Sequence, residues 1–161
     1  MKKFESQWAV FSVFLAMVFG GAVLYAQQPS HLSKTDAEKL FPKELVGYKL
    51  HGFKIKDKSA VWKEYSATYK TSKKGDKELK VVINDVIPAG DPQWKTQVPS
   101  VEAGIQTYPA KEVKDDDKFT VMVLVGKRFR VDFKSREISP EKVKAMAEAF
   151  DFKPAAAVAG K

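Results

Sequence analysis

The chain has 161 residues and a net charge of +8, with 44% hydrophobic and 30% charged residues, a balance that excludes a disordered chain and suits one packed domain with extensions. It has no Cys and only two His, His31 and His51. Disulfides, thiolate metal sites, thiol nucleophiles and a lipidated N-terminal Cys are therefore excluded, and little remains for His-based metal or triad chemistry. No cofactor and no metal is expected.

Lys2 and Lys3 open the chain, and residues 8–26 then run without a charge. A basic start before an apolar run is the pattern of a secretory signal peptide. Gly20-Gly21 and the small Ala26 favour cleavage after Ala26. The length of the run, Glu5 and the bulky Leu24 favour a retained membrane anchor. Either way residues 1–26 form a signal peptide or anchor, and the chain from Gln27 onward is expected outside the cytoplasmic membrane, with the N-terminus inside. Residues 27–34 read as a polar linker, 35–153 as a single domain and 154–161 as a flexible tail.

The domain opens on a short helix, with Thr35 or Ser33 as its cap and Pro42 as its stop. Tyr48 to Lys56 reads as a strand of mixed pattern. Ala60 to Thr71 and Lys77 to Ile87 read as a long hairpin joined by Lys73-Lys74-Gly75-Asp76. Pro88 to Ser100, with three Pro and Trp94, reads as a long loop. Gly104 to Val113 reads as an edge or bulged strand because it holds Pro109. After the charged turn Lys114 to Lys118, the strands Phe119 to Val125 and Arg128 to Lys134 flank Gly126-Lys127, which fits a two-residue turn. A final helix starts at Ser139-Pro140-Glu141 and sets Val143, Met146, Ala147 and Phe150 on one stripe. Runs of strands with helices at the ends predict an α+β domain, an antiparallel sheet with helices packed on one face.

The patterns Tyr65-x-Ala67-x-Tyr69, Val82-x-Asn84-Asp85, Tyr108-Pro109-Ala110 and Val123-x-Val125-Gly126-x-Arg128-Phe129-x-Val131, followed by the amphipathic helix, cover most of residues 48–152. With them the exported part resembles small exported bacterial α+β proteins of unassigned function. More loosely, it is similar to the sheet-plus-helix arrangement of Mog1/PsbP-type domains. The resemblance implies an exported β-rich domain and transfers no catalytic residue.

The two-residue turn would set Val125 opposite Arg128, Val123 opposite Arg130 and Val121 opposite Asp132. That face mixes three Val with two Arg and an Asp. It is either a strip that receives a partner or an anionic amphiphile, or a row of Val covered by arginine stems. Arg128 and Arg130 are accordingly the leading candidate binding residues, with Trp94 in the long loop as a third, unless it only pins that loop to the core. Asp85 shares an apolar strand face with Ile83 and Ile87 and is either an acid/base for a hydrolase or a carboxylate that ends the strand. Asp115-Asp116-Asp117 lacks the spacing of a calcium loop and reads as a solvated turn. Glu64, Glu78 and Glu112 show no paired-carboxylate spacing. His51 reads as structural or exposed, and Trp62 as a surface aromatic or a core anchor. Lys70, Lys73, Lys74, Lys77 and Lys80 give a basic rim, read as a solvated edge or as a surface for anionic partners. The expected function is a non-enzymatic binding domain of the bacterial cell envelope, whose partner is an envelope protein or an anionic envelope component. A hydrolase using Asp85 and a structural or assembly subunit are the alternatives. No nucleic-acid motif is present, and nucleic acid is not an expected partner. Residues 8–26 offer a route to membrane association, and the basic rim a surface for anionic lipid headgroups, cell-wall polymers or an acidic partner.

Overall fold

The computed structural model describes residues 30–71, 77–87 and 103–160. The N-terminal apolar run, the lysine turn at 73–76, the Pro88 to Ser100 loop and Trp94 all lie outside the described residues. No helix among the described residues is long and apolar enough to cross a membrane.

A short helix, α1 (Lys34–Lys39), begins where Ser33 Oγ accepts the Asp36 backbone N–H, so Ser33 and not Thr35 is the cap. Eight strands follow: β1 (Glu44–Leu45), β2 (Tyr48–Ser59), β3 (Trp62–Lys70), β4 (Glu78–Val86), β5 (Ala103–Ile105), β6 (Tyr108–Asp115), β7 (Lys118–Val125) and β8 (Phe129–Ser135). They form one antiparallel sheet, curled into a half-barrel, in the order β1-β2-β3-β4-β8-β7-β6-β5. The predicted Gly104–Val113 strand is in fact β5 and β6, split by a tight turn in which Gln106 adopts φ 57°. The helices α2 (Pro140–Ala149) and α3 (Lys153–Ala159) close the chain. The tail expected to be flexible is therefore helical, and its Ala155 is buried.

One face of the sheet, here the inner face, carries Tyr65, Ala67 and Tyr69 of β3, Leu79, Val81 and Ile83 of β4, and the apolar rows of β7 and β8. Burying these side chains together is what drives the sheet to form, at roughly 25 cal/mol per Å² of apolar surface. The helices lie on this face. Val143, Met146 and Ala147 of α2 are buried, as the predicted stripe requires. Phe150 and Phe152 meet Phe133 of β8 edge-on with ring centroids 5.4 and 6.2 Å away, and Phe41 meets Phe53 of β2 in the same way at 5.5 Å. Two buried tyrosines tie the N-terminal segment down: Tyr65 donates to the Leu32 carbonyl at 2.7 Å and Tyr69 to the Pro42 carbonyl at 2.8 Å. Burial pushes both phenols above the ordinary tyrosine range.

Two local features explain departures from the expected pattern. The register of β2 shifts between Leu50 and Gly52, a bulge that keeps Leu50 on the inner face and brings Phe53 and Ile55 there too. Without the bulge the alternation of this strand looks mixed. The second departure is the β7–β8 connection, which has three residues instead of two, so Val125 pairs with Phe129, Val123 with Val131 and Val121 with Phe133. The expected pairs with Arg128, Arg130 and Asp132 are incorrect by one residue, and a one-residue slip exchanges the faces. The observed register puts six apolar side chains on the inner face, all fully buried, where the expected one mixed valines with charges. Gly126, at φ 62°, allows this turn, and a Cβ there would lie 2.8 Å from the Ala159 Cβ, so the glycine also lets α3 approach.

Candidate functional site

Asp85 ends the inner-face row of β4 and is fully buried. Arg128 leaves the β7–β8 connection toward it. Its Nε donates to Asp85 Oδ1 at 2.7 Å and its Nη2 to Oδ2 at 3.0 Å, a bidentate pair, while its guanidinium lies 5.1 Å from the Phe129 ring centroid. The Leu32 backbone N–H donates to Oδ2 at 3.2 Å. His31 Nδ1 stands 3.2 Å from the same oxygen but makes no hydrogen bond, and His31 Nε2 is 3.2 Å from the Ala60 carbonyl. This cluster fastens residues 31–32, the β2–β3 turn and the β7–β8 turn to one end of the sheet. The carboxylate expected to end a strand does so, with an arginine as its cation. Its oxygens face these protein donors, which is the arrangement of a structural anchor.

Arg130 does not share a strip with Arg128. It lies on the outer face, where its Nε and Nη2 donate to Asp132 at 2.8 and 3.1 Å. Lys134 Nζ reaches Asp132 Oδ2 at 2.9 Å, and Asn84 Nδ2 donates to the same oxygen at 3.2 Å. The Trp62 indole N–H completes the chain by donating to Asn84 Oδ1 at 3.2 Å. Trp62 is thus a half-buried outer-face aromatic, with Lys58 Nζ 5.8 Å from its ring centroid. Alternation along β4 and β8 puts this row of polar side chains together. The sequence hid it because β4 pairs with β8 across 46 residues of chain, as in Asn84 opposite Arg130.

At the opposite end of the outer face from Trp62, Lys80 of β4 stands directly opposite Lys134 of β8. Beside them Lys118, Ser135, Arg136, Glu78 and Glu137 line an open depression of about 480 Å³. The Ser135 hydroxyl ties the strand ends there, donating to the Glu78 carbonyl at 2.7 Å and accepting the N–H groups of Glu137 and Ile138. Both carboxylates are engaged: Glu78 pairs with Lys70 at 3.4 Å, and Glu137 Oε2 accepts the Glu78 backbone N–H at 3.2 Å. Arg136, 69% exposed, lies 3.6 Å from Asp117, too far for a strong bond. Lys80 and Lys118 have no ion-pair partner among the described residues. Lys54, Lys56 and Lys111 also lie on the outer face but do not line the depression.

Of the predicted basic rim, Lys80 reaches this depression, Lys70 is engaged by Glu78, Lys77 is exposed, and Lys73 and Lys74 are outside the described residues. Lys118, Lys134 and Arg136 are not expected here; the β7–β8 hairpin sets Lys118 on the side of Lys134 and Arg136, and the pairing of β4 with β8 brings Lys80 to them. Asp115 pairs in the ladder with Lys118, and His51 is exposed at the β2 bulge. Comparisons with protein families, characterised proteins and solved structures give no match to this chain.

Proposed function

We propose that the protein is an exported, non-enzymatic binding domain of the bacterial cell envelope that takes an anionic envelope component on the outer face of its sheet. The observation that carries this reading is Lys80 held directly opposite Lys134, with Lys118 and Arg136 around the same depression. Asp132 holds Lys134, so Lys80 is the cation of this cross-strand pair left without a counter-charge among the described residues, and a docked anion supplies one. An open, polar depression suits a headgroup or a polymer segment better than a small apolar ligand. Export is supported by Lys2, Lys3 and the uncharged run at residues 8–26, which serves as signal or anchor. The alternative of a hydrolase using Asp85 lacks comparable support, because that carboxylate is engaged by Arg128 and Leu32.

The test is binding of the full chain to vesicles of phosphatidylcholine with and without phosphatidylglycerol. Lys80→Gln/Lys118→Gln removes two cations that hold no ion pair, so the fold is expected to persist. Each lysine near an anionic surface contributes about 1 kcal/mol, so the double variant should lose roughly 30-fold in preference for the anionic vesicles at low salt. The loss should shrink as salt rises, since exposed charges are screened. The apolar N-terminal run is common to both chains and cancels in the comparison. An unchanged preference in the variant contradicts the proposed site.

A further inference from the structure

We infer that the open side of β2 between His51 and Ser59 is a docking edge for an extended segment of a partner protein in which acidic and apolar residues alternate. This surface is separate from the depression, and neither depends on the other.

The strand β2 is 12 residues long, but β1 pairs only with its first residues, through Glu44–Lys49 and Leu45–Tyr48, with one more bond from the Leu50 N–H to the Lys43 carbonyl. Beyond Leu50, no backbone hydrogen bond is made on the side away from β3 among the described residues. An open edge of this length presents a row of unpaired donors and acceptors, which is the template for adding a strand. The side chains along it specify what can be added. Phe53 and Ile55 point to the inner face, opposite Ala67 and Tyr65, and Ile55 is 38% exposed. It is one of two large exposed hydrophobics among the described residues, and the other, Val46, lies in the β1–β2 turn at the same side of the sheet. Lys54 and Lys56 point to the outer face, both exposed and neither in an ion pair.

An added strand therefore meets apolar contacts on one face and two free ammonium groups on the other. Cross-strand pairs of opposite charge and of apolar side chains are both favourable, so the complementary sequence alternates acidic and apolar residues. The same pattern disfavours a second copy of this chain. An antiparallel β2–β2 pair centred on Ile55 would set Lys54 of one copy against Lys56 of the other, and like charges directly opposite are destabilising. The lysines thus guard the edge against self-association and leave it open to an acidic strand.

The probe is a strand-length peptide alternating glutamate and valine, titrated into the full chain and followed by backbone amide shifts and hydrogen exchange. A scrambled peptide of the same composition and an alternating lysine–valine peptide are the controls. The glutamate–valine peptide should shift the amides of residues 51–59 and slow exchange on that side. Lys54→Glu/Lys56→Glu should weaken it at least tenfold and transfer the preference to the lysine–valine peptide. The inference is overturned if the amides of residues 51–59 do not respond, or if the scrambled peptide binds equally well. It is also overturned if protection at this edge rises with protein concentration alone, which would make the occupant a second copy.

Discussion

Replacing Arg128 with Met should lower the unfolding free energy by about 3–5 kcal/mol, because it removes one partner of a buried ion pair and leaves the other charge uncompensated. Asp85 is fully buried, and Arg128 supplies it with two charge-assisted hydrogen bonds of 2.7 and 3.0 Å. The Leu32 N–H remains, but one amide does not replace a guanidinium. Asp85→Leu/Arg128→Met should be less destabilised than Arg128→Met alone, since an apolar replacement of a whole buried pair is often close to neutral. It should not recover fully, because the Leu32 N–H then loses its acceptor, at about 1–3 kcal/mol. Urea unfolding of the three chains checks this. A loss below about 0.5 kcal/mol for Arg128→Met would place the arginine outside any structural role.

Phe150→Ala should cost a comparable amount, about 3–5 kcal/mol, for a different reason. Phe150 is buried at the end of α2, packs edge-on against Phe133 and meets Phe152 at a tilt with ring centroids 5.0 Å apart. Tyr108 of β6 meets Phe152 at a tilt with centroids 5.2 Å apart, so the ring deleted belongs to a cluster joining β6, β8 and both C-terminal helices. Truncation removes apolar area and leaves a cavity that the three remaining rings cannot collapse into. The destabilisation is read from the urea midpoint at constant slope. A change below about 0.5 kcal/mol would mean that α2 does not rest on the sheet.

The stripe of α2 was legible because a helix carries its burial in its own spacing: Val143, Met146 and Ala147 lie on one side whatever they pack against. Antiparallel strands and end helices were legible for the same reason, since period-two alternation and capping residues are local signals. The hairpin of β7 and β8 was not. Gly126-Lys127 suits a two-residue turn, and nothing local announces that Arg128 joins the connection. That one residue decided the reading of the site, because it moved Val121, Val123 and Val125 from a mixed strip to the core and sent Arg128 and Arg130 to different faces. Asp85 stands out in the sequence as a charged residue in an apolar row, but its partner comes from 43 residues later in the chain. The depression was hidden more completely. Lys80 and Lys134 are each unremarkable surface residues until β4 is known to pair with β8.

The proposed site requires anions to dock at one place on the outer face and not on the lysines at large. Titrating the full chain with short-chain polyphosphate, followed amide by amide, tests it most directly. The expected result is a set of shifts concentrated at Lys80, Lys118, Lys134, Ser135 and Arg136, weakening as salt is raised. Equal shifts at the exposed Lys43, Lys127 and Lys153, which lie away from the depression, would show attraction to net positive charge alone and contradict the proposed site.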